Sequence, residues 1–192
     1  MPEHDPPPAA LEVRLAPDVL VRDGGRLLCG GSPFRLIRLS AAGERVVGRW
    51  RVGASVGHQP SQRKLARQLL DTGLLLSTST TATPPPNEIV VPAHDRLAEL
   101  RTCLGALRAH YPAARLVVVD DGSAAHAEVV AIVGAHGAKL VRHATRRGPA
   151  AARNAGLGAT TGSLVAFVDS DVVVDRGCLE RLAAHFADPA VG

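Results

Sequence analysis

The chain has 192 residues, of which 46% are apolar and 21% are charged, a composition that excludes a low-complexity chain and predicts intrinsic disorder only in short segments. Its formal net charge of +4 comes from 22 basic and 18 acidic side chains without a long basic block, which suits an anionic ligand such as a nucleotide and does not require nucleic acid. No apolar run approaches the roughly 18 residues of a membrane span, and the three cysteines lack metal or redox spacing, which predicts a cytoplasmic protein with reduced thiols.

A stretch rich in hydroxyl residues and proline divides the chain. The sequence STSTTATPPPN at 77–87 offers no apolar side chains for a core, and its prolines favour an extended backbone. We therefore predict two modules, at 11–76 and 88–192, joined by a linker at 77–87.

The first module has the elements of a small α+β fold. The predicted elements are strands at 19–22, 26–29 and 34–39, helices capped by Ser40 and Ser61, and a strand at 74–76. The first two strands flank Asp23-Gly24-Gly25, residues that tolerate the positive φ angles of a hairpin turn. This order of elements predicts a winged-helix-like α+β module.

The second module alternates strands and helices. The predicted strands are 88–91, 116–119, 139–142 and 163–168, and the predicted helices contain 97–107, 125–133, 149–157 and 179–186. The strands are continuous apolar runs, which is typical of a parallel sheet that helices cover on both faces. The predicted fold class is α/β with a mostly parallel, Rossmann-like sheet.

Three of these predicted strands end in polar clusters. They are PAHD at 92–95, DDGS at 120–123 and DSD at 169–171. Ligands of open α/β sheets bind beyond the carboxyl ends of the strands, so the three clusters are expected to meet at one site. The alternative for each cluster is an ordinary capped turn between a strand and a helix.

Each cluster suits a particular part of a nucleotide ligand. Asp169 and Asp171 offer hard oxygen ligands for Mg²⁺ or Mn²⁺, which would bridge to phosphate oxygens. One of the two acids at 120–121 could accept a hydrogen bond from a nucleobase N–H. Three arginines surround a predicted helix start at Gly148-Pro149, where cations and free N–H groups suit a diphosphate; the alternative is a solvated basic turn.

Four segments of the second module resemble family 2 glycosyltransferases with the GT-A fold in both order and spacing. They are IVVPAHDR at 89–96, LVVVDDGS at 116–123, RRGPAAARNAG at 146–156 and FVDSD at 167–171. The resemblance implies that Pro92 and Ala93 line a uridine pocket, mostly through their backbone. It also implies that Asp121 pairs with uracil.

The same resemblance assigns the remaining donor-site residues. It implies that Asp169 approaches the ribose and that Asp171 holds the Mg²⁺ or Mn²⁺ bound to the diphosphate of a UDP-sugar. The arginine that contacts the diphosphate is poorly fixed by sequence in this family. Arg147 is the first choice for that role and Arg153 is the second.

The first module resembles the PqqD-type peptide-recognition domain. The segments that carry this resemblance are LAPDVLVRDGG, RLSAAGERVV and RQLLDTGLLLS. It implies binding of a peptide by strand addition. A helix bearing Arg63, Lys64 and Arg67 leaves DNA binding by a winged helix as an alternative, and a degenerate domain that only packs on its neighbour is another.

The combination of the two modules resembles the glycosyltransferases of the mycofactocin system. That resemblance implies metal-dependent, inverting transfer of glucose from UDP-glucose onto a peptide-derived redox cofactor. The competing hypothesis is a fragment that binds a nucleotide sugar or a peptide and catalyses nothing.

The family resemblance also implies where the general base lies. In such enzymes the base and the acceptor pocket lie well downstream of the Asp-x-Asp motif, and here 21 residues follow Asp171. We expect the base beyond Gly192, so that this chain holds the donor-binding half of a longer enzyme. Weak turnover by the chain alone is the consequence.

Overall fold

The structure, a computed structural model, describes residues 5–78 and 84–191. The chain divides into two compact units, which we call the first unit (Met1–Thr83 with Arg181–Gly192) and the second unit (Pro84–Glu180). Residues 79–83 of the predicted linker lie outside the described residues. No described helix is both long enough and apolar enough to cross a lipid bilayer.

The first unit contains short antiparallel strands and two helices. Its elements are β1 (Glu12–Leu15), β2 (Leu20–Arg22), β3 (Leu27–Gly30), β4 (Arg35–Arg38), α1 (Ala41–Trp50), β5 (Ala54–Ser55), α2 (Pro60–Asp71) and β6 (Leu75–Ser77). The strands form two three-stranded sheets, in the orders β5-β1-β6 and β2-β3-β4. The predicted α+β content is present, and winged-helix likeness stays a prediction.

The predicted hairpin between β2 and β3 is present. These strands pair antiparallel, and the turn between them is a short 3-10 helix, Asp23–Gly25. All three turn residues have positive φ: 52° at Asp23, 62° at Gly24 and 107° at Gly25. Two glycines and an aspartate occupy this left-handed region at low steric cost, which explains the choice of residues.

The helix starts of the first unit agree with the sequence at one position and differ at the other. Ser40 caps α1 as predicted, because its Oγ accepts a hydrogen bond from the backbone N–H of Gly43 at 3.1 Å. The predicted cap at Ser61 is wrong, since α2 already begins at Pro60. Proline suits the first helical position because its φ is fixed near the helical value and it has no N–H to satisfy.

The core of the first unit surrounds Trp50, the chain's one tryptophan. Its side chain is fully buried, and its indole Nε1 donates to the carbonyl of Ser55 at 3.1 Å. Val47 and Leu69, one from each helix, are buried in the same cluster. This hydrogen bond satisfies the indole N–H that burial would otherwise leave unpaired.

The second unit is a single parallel sheet with helices on both faces. Its elements are β7 (Glu88–Ala93), α3 (Leu97–His110), β8 (Arg115–Asp121), α4 (His126–Ala135), β9 (Lys139–His143), α5 (Pro149–Leu157), β10 (Val165–Phe167) and the start of α6 (Cys178–Ala183). The sheet order is β10-β7-β8-β9, and every pair is parallel. The predicted α/β class and parallel sheet are confirmed. Helix α6 is shorter than predicted and continues as a 3-10 turn at Ala184–Ala187.

Alternate residues of β7 and β8 face two separate apolar clusters. Ile89 and Val91 pack with side chains of α3 and α4 on one face, whereas Val90 and Val117 pack with Ala152 of α5 on the other. Burial on both faces explains why these strands are continuous apolar runs. Because all four strands are parallel, their carboxyl ends lie at one edge of the sheet.

Candidate functional site

A cavity of about 440 Å³ opens at the carboxyl edge of the sheet in the second unit. Residues predicted for the site line it: Pro92, Ala93, Asp121, Arg153, Asp169 and Asp171. Its lining also includes residues that the sequence analysis did not assign: His94, Arg96, Arg146, Pro149, Ala152 and Ser170. Arg147 is not among the lining residues. The cavity therefore draws on the ends of β7, β8 and β10 and on the start of α5.

Asp121 is held by three hydrogen bonds at the end of β8. Its Oδ1 accepts from Nδ1 of His143 at 2.7 Å and from the backbone N–H of Arg147 at 2.9 Å. Its Oδ2 accepts from the backbone N–H of Gly148 at 2.8 Å. Burial acts to raise the pKa of Asp121, but these hydrogen bonds outweigh it and hold the pKa below its usual value. The lining of the cavity thus includes a carboxylate whose orientation is fixed.

The neighbouring Asp120 has a different environment and does not line the cavity. It is fully buried, its Oδ1 accepts from the backbone N–H of Ser123 at 2.9 Å, and its Oδ2 contacts His126 and Arg142. Burial acts to raise its pKa too, and these partners again lower it below the usual value. Of the two acids, Asp120 fixes the turn after β8, and Asp121 faces the site.

The two acids of the DSD segment each pair with an arginine. Nη2 of Arg153 lies 2.6 Å from Oδ1 of Asp169, and Nη1 of Arg96 lies 2.6 Å from Oδ2 of Asp171. The two carboxylate side chains are 52% and 48% exposed. They are therefore accessible from the cavity, and their charges are balanced within it.

The donor set fits a divalent cation that takes further ligands from a substrate. Asp169 and Asp171 supply hard carboxylate oxygens beside an open cavity, which Mg²⁺ and Mn²⁺ favour. Across residues 5–78 and 84–191, no group of three or more His, Cys, Asp or Glu side chains could hold a metal ion by itself. A cation here would need phosphate or water oxygens to complete its coordination, as Mg²⁺ commonly does.

The basic turn at 146–148 contributes its arginines in different ways. Arg147 reaches the site through its backbone N–H, which donates to Asp121. Arg146 lines the cavity, as does Arg153 one turn into α5, whose guanidinium pairs with Asp169. Adjacent arginines give no sequence signal for which one faces the site, because the path of the turn decides it.

The loops after β7 and β8 are tied together beside the cavity. The backbone N–H of Asp95 donates to Oγ of Ser123 at 3.0 Å, and Oδ1 of Asp95 accepts from the N–H of Ala124 at 2.8 Å. Asp95 has a φ of 54°, a left-handed conformation that these two bonds hold. At Gly122 a Cβ would lie 2.6 Å from the backbone nitrogen of Arg146, so only glycine allows this approach.

The cysteines take no part in the cavity lining. Cys29, Cys103 and Cys178 are all free thiols, in agreement with the prediction from their spacing. Burial raises the pKa of Cys103 to about 11, with further contributions from the charges of Asp171 and Asp169. Its Sγ lies 3.7 Å from the carbonyl oxygen of Asp169, so the thiol packs behind the DSD segment as a neutral group.

Comparison with known proteins decides the family. The model of the glycosyl transferase family 2 matches residues 88–192, which is more than half of the chain and includes every cavity residue. The chain belongs to glycosyltransferase family 2. The expectation drawn from the four segments of the second module is thereby confirmed at the level of the family.

Two relatives of this family 2 chain match nearly all of it. They are the pre-mycofactocin glycosyltransferases of Mycobacterium tuberculosis strains CDC 1551 / Oshkosh and ATCC 25618 / H37Rv, each 40% identical over 195 residues. The match covers 96% of this chain and 38% of each relative, so the chain spans less than half the length of these curated relatives.

Solved structures of other proteins are similar to part of the chain. Residues 1–349 of TarS from S. aureus are 27% identical with a TM-score of 0.44, and the match covers 50% of this chain and 31% of that one. Glucosyl-3-phosphoglycerate synthase from Mycobacterium tuberculosis, crystallised with Mn²⁺, UDP and glucosyl-3-phosphoglycerate, is 26% identical with a TM-score of 0.40, over 48% of this chain and 36% of that one.

Proposed function

We propose that the second unit binds a UDP-sugar together with Mg²⁺ or Mn²⁺. The sugar, glucose from UDP-glucose, is transferred with inversion onto a peptide-derived redox cofactor of the mycofactocin type. The observation that carries the proposal is the meeting of Asp121, Asp169, Asp171 and Arg153 at one cavity in a member of glycosyltransferase family 2. The 40% identity to pre-mycofactocin glycosyltransferases supports the choice of acceptor.

The hydrogen bonding of Asp121 favours uracil as the base. A carboxylate offers about four acceptor positions, and His143, Arg147 and Gly148 fill three of them. The remaining position, on Oδ2, can accept one N–H donor, and the N3–H of uracil is such a donor. Cytosine presents an acceptor at the same ring position and would be repelled. Pro92 and Ala93 line the cavity beside this carboxylate and complete the base pocket.

The acids of the DSD segment and the neighbouring arginines suit the rest of the nucleotide. In this proposal Asp171 holds the cation, and Asp169 approaches the ribose. Arg153 contacts the diphosphate in preference to Arg147, because the side chain of Arg153 lines the cavity. When bound, the cation supplies charge neutralisation for the departing diphosphate. The arginines supply fixed positive charge for the same oxygens.

For the first unit we propose peptide recognition, as in PqqD-type domains. Leu20, Cys29 and Leu36 are register partners across β2, β3 and β4, on the sheet face opposite the buried Leu28. Leu20 is 53% exposed and Leu36 is 65% exposed, which leaves an apolar row on this face. Such a row, beside strands that can accept another strand, suits an extended peptide with apolar side chains.

The contacts of α2 argue against the DNA-binding alternative. Arg63 donates to the backbone carbonyls of Pro6 and Pro7, and Arg67 pairs with Asp71 and Asp188. Two of the three basic side chains of this helix are thus engaged within the first unit. The remaining cation, Lys64, does not form the basic surface that phosphate binding needs.

Calorimetric titration of the intact chain tests the donor site. Wild type is expected to bind UDP in the presence of Mn²⁺ and to prefer UDP to CDP. Asp171→Asn should weaken the dependence of UDP binding on Mn²⁺, and Asp121→Asn should reduce the preference for UDP over CDP. Glu128→Gln, which removes an exposed acid on α4, is the matched control. Equal UDP affinity in wild type and both site variants would overturn the donor-site assignment.

A second titration tests the first unit in the same intact chain. A mycofactocin precursor peptide is expected to bind, and Leu36→Ser should weaken its binding without changing UDP affinity. Salt-dependent binding of a DNA duplex would instead favour the winged-helix alternative. If neither ligand binds, the module serves packing and the peptide-recognition proposal is wrong.

A further inference from the structure

The ion pair between Arg96 and Asp171 lies inside the cavity. Nη1 of Arg96 is 2.6 Å from Oδ2 of Asp171, and both residues line the space between β7 and the DSD segment. Arg96 is the residue before α3, and its side chain does not cap that helix. Its guanidinium therefore points to Asp171 in the site and does not stabilise the start of the helix.

We propose that Arg96 exchanges partners when the donor binds. Without the donor it neutralises Asp171; with the donor, Asp171 binds the divalent cation and the Arg96 guanidinium binds the diphosphate. This inference rests on the proposed UDP-sugar site, and it assigns to that site a diphosphate-binding residue that also competes with the cation.

The geometry places Arg96 and an incoming cation in competition for the Asp171 carboxylate. The oxygen that Arg96 contacts belongs to the carboxylate that would hold the cation, and a cation on it would lie within a few ångströms of the guanidinium. Two positive charges at that distance repel each other, so cation binding at Asp171 weakens the hold of Arg96 on this carboxylate. The pair is exposed, with side-chain exposures of 59% for Arg96 and 48% for Asp171, and such pairs are weak enough to open at low cost.

The charge balance of the cavity gives the released guanidinium a new partner. Three arginines (96, 146 and 153) and three aspartates (121, 169 and 171) line it, so its formal charge is zero. A cation that takes Asp171 leaves Arg96 without that carboxylate and beside the incoming diphosphate. The planar guanidinium of arginine can donate two parallel hydrogen bonds to phosphate oxygens, so we expect the diphosphate to be its second partner.

A fixed structural tether between the two loops would behave differently from an exchanging partner. If Arg96 only holds the DSD segment in place, its removal should loosen the site and weaken every ligand. If it exchanges, its removal should improve binding of the cation alone and impair binding of the nucleotide. The two explanations thus predict opposite signs for one measurement.

The experiment compares Arg96→Gln with wild type and with Arg101→Gln, which removes an exposed arginine of α3 that does not line the cavity. Mn²⁺ binding without nucleotide, followed by electron paramagnetic resonance, should tighten about 2- to 5-fold in Arg96→Gln. UDP binding at saturating Mn²⁺, followed by calorimetry, should weaken about 10-fold or more. Arg101→Gln should leave both affinities unchanged.

Other outcomes separate the inference from the proposed function. Weaker or unchanged Mn²⁺ affinity in Arg96→Gln, with normal UDP binding by wild type, overturns the exchange and leaves the donor site intact. Absence of UDP binding by wild type overturns the donor site itself. If Arg96→Gln does not fold, Arg96→Lys replaces it. The competing positive charge remains in this variant, so its Mn²⁺ affinity should equal that of wild type. Loss of the planar guanidinium should still weaken UDP binding.

Discussion

Asp121 and His143 are register partners at the carboxyl ends of β8 and β9, and Nδ1 of His143 lies 2.7 Å from Oδ1 of Asp121. Both side chains are buried. Because the ionised carboxylate can only accept, the imidazole carries a proton on Nδ1. The hydrogen bond fixes the orientation of the carboxylate, and with it the direction of the acceptor position that remains on Oδ2.

The first prediction concerns this positioning role of His143. His143→Ala removes the donor to Asp121 and should weaken UDP binding about 5- to 10-fold and lower the preference for UDP over CDP. His143→Asn, whose amide nitrogen can donate in place of Nδ1, should recover part of both. Calorimetry with UDP and CDP measures the effect, and His110→Ala, at the exposed end of α3, is the control. Equal losses in the Ala and Asn variants would contradict a positioning role.

The fold of the second unit follows closely from sequence because one physical cause acts along its whole length. Its strands are buried on both faces, so they are apolar without interruption, and its helices show one apolar side each. The first unit was harder to predict. The two-residue strand Ala54–Ser55 has no periodicity of its own and exists because it pairs with β1. Strand β1 itself alternates buried and exposed residues, a pattern that the prediction overlooked.

The site illustrates what motif reading can and cannot provide. Parallel strands bring the PAHD, DDGS and DSD segments to one edge, so their meeting was predictable from topology. The order of preference between Arg147 and Arg153 was not, because it depends on how the turn after β9 donates its N–H groups to Asp121 and leaves Arg147 out of the cavity lining. The pairing of Arg96 with Asp171 carried no sequence signal, since the two residues lie 75 positions apart in the chain.

The second prediction concerns the close packing of α5 on the sheet. At Gly156 a Cβ would lie 2.2 Å from Cγ1 of Val90 and 3.1 Å from Cγ2 of Val119. Gly156→Ala should therefore destabilise the second unit by about 1–3 kcal/mol through overpacking. Gly134→Ala is the matched control, because nothing lies within 4 Å of its Cβ position and alanine favours the helix. Urea unfolding followed by circular dichroism measures both; equal stability of the two variants would refute the packing argument.

The third prediction concerns a buried ion pair in the first unit. Nη1 of Arg67 lies 2.8 Å from both carboxylate oxygens of Asp188, whose side chain is 3% exposed. Arg67→Ala would leave that carboxylate buried without its cation and should cost about 3 kcal/mol, whereas Lys64→Ala, on the exposed side of α2, should cost less than about 0.5 kcal/mol. The fluorescence of Trp50 during urea unfolding reports on this unit. If Arg67→Ala lowers the free energy of unfolding no more than Lys64→Ala does, the ion pair between Arg67 and Asp188 contributes little to stability.

The fourth prediction concerns the acid side of the stability profile of the second unit. The partners of Asp120 hold its pKa below the usual value despite full burial, so its ionised form stabilises the fold above the unfolded pKa of about 4. This stabilisation is lost as the pH falls from the pKa of Asp120 in the unfolded chain to its lower pKa in the folded protein. Asp120→Asn should therefore cost about 3 kcal/mol at pH 7, and the difference from wild type should shrink toward pH 3. Urea unfolding followed by circular dichroism at the two pH values measures it, with Asp175→Asn, an exposed acid outside the cavity, as the control. A difference that stays constant with pH would show that the effect of the substitution does not come from the charge of Asp120.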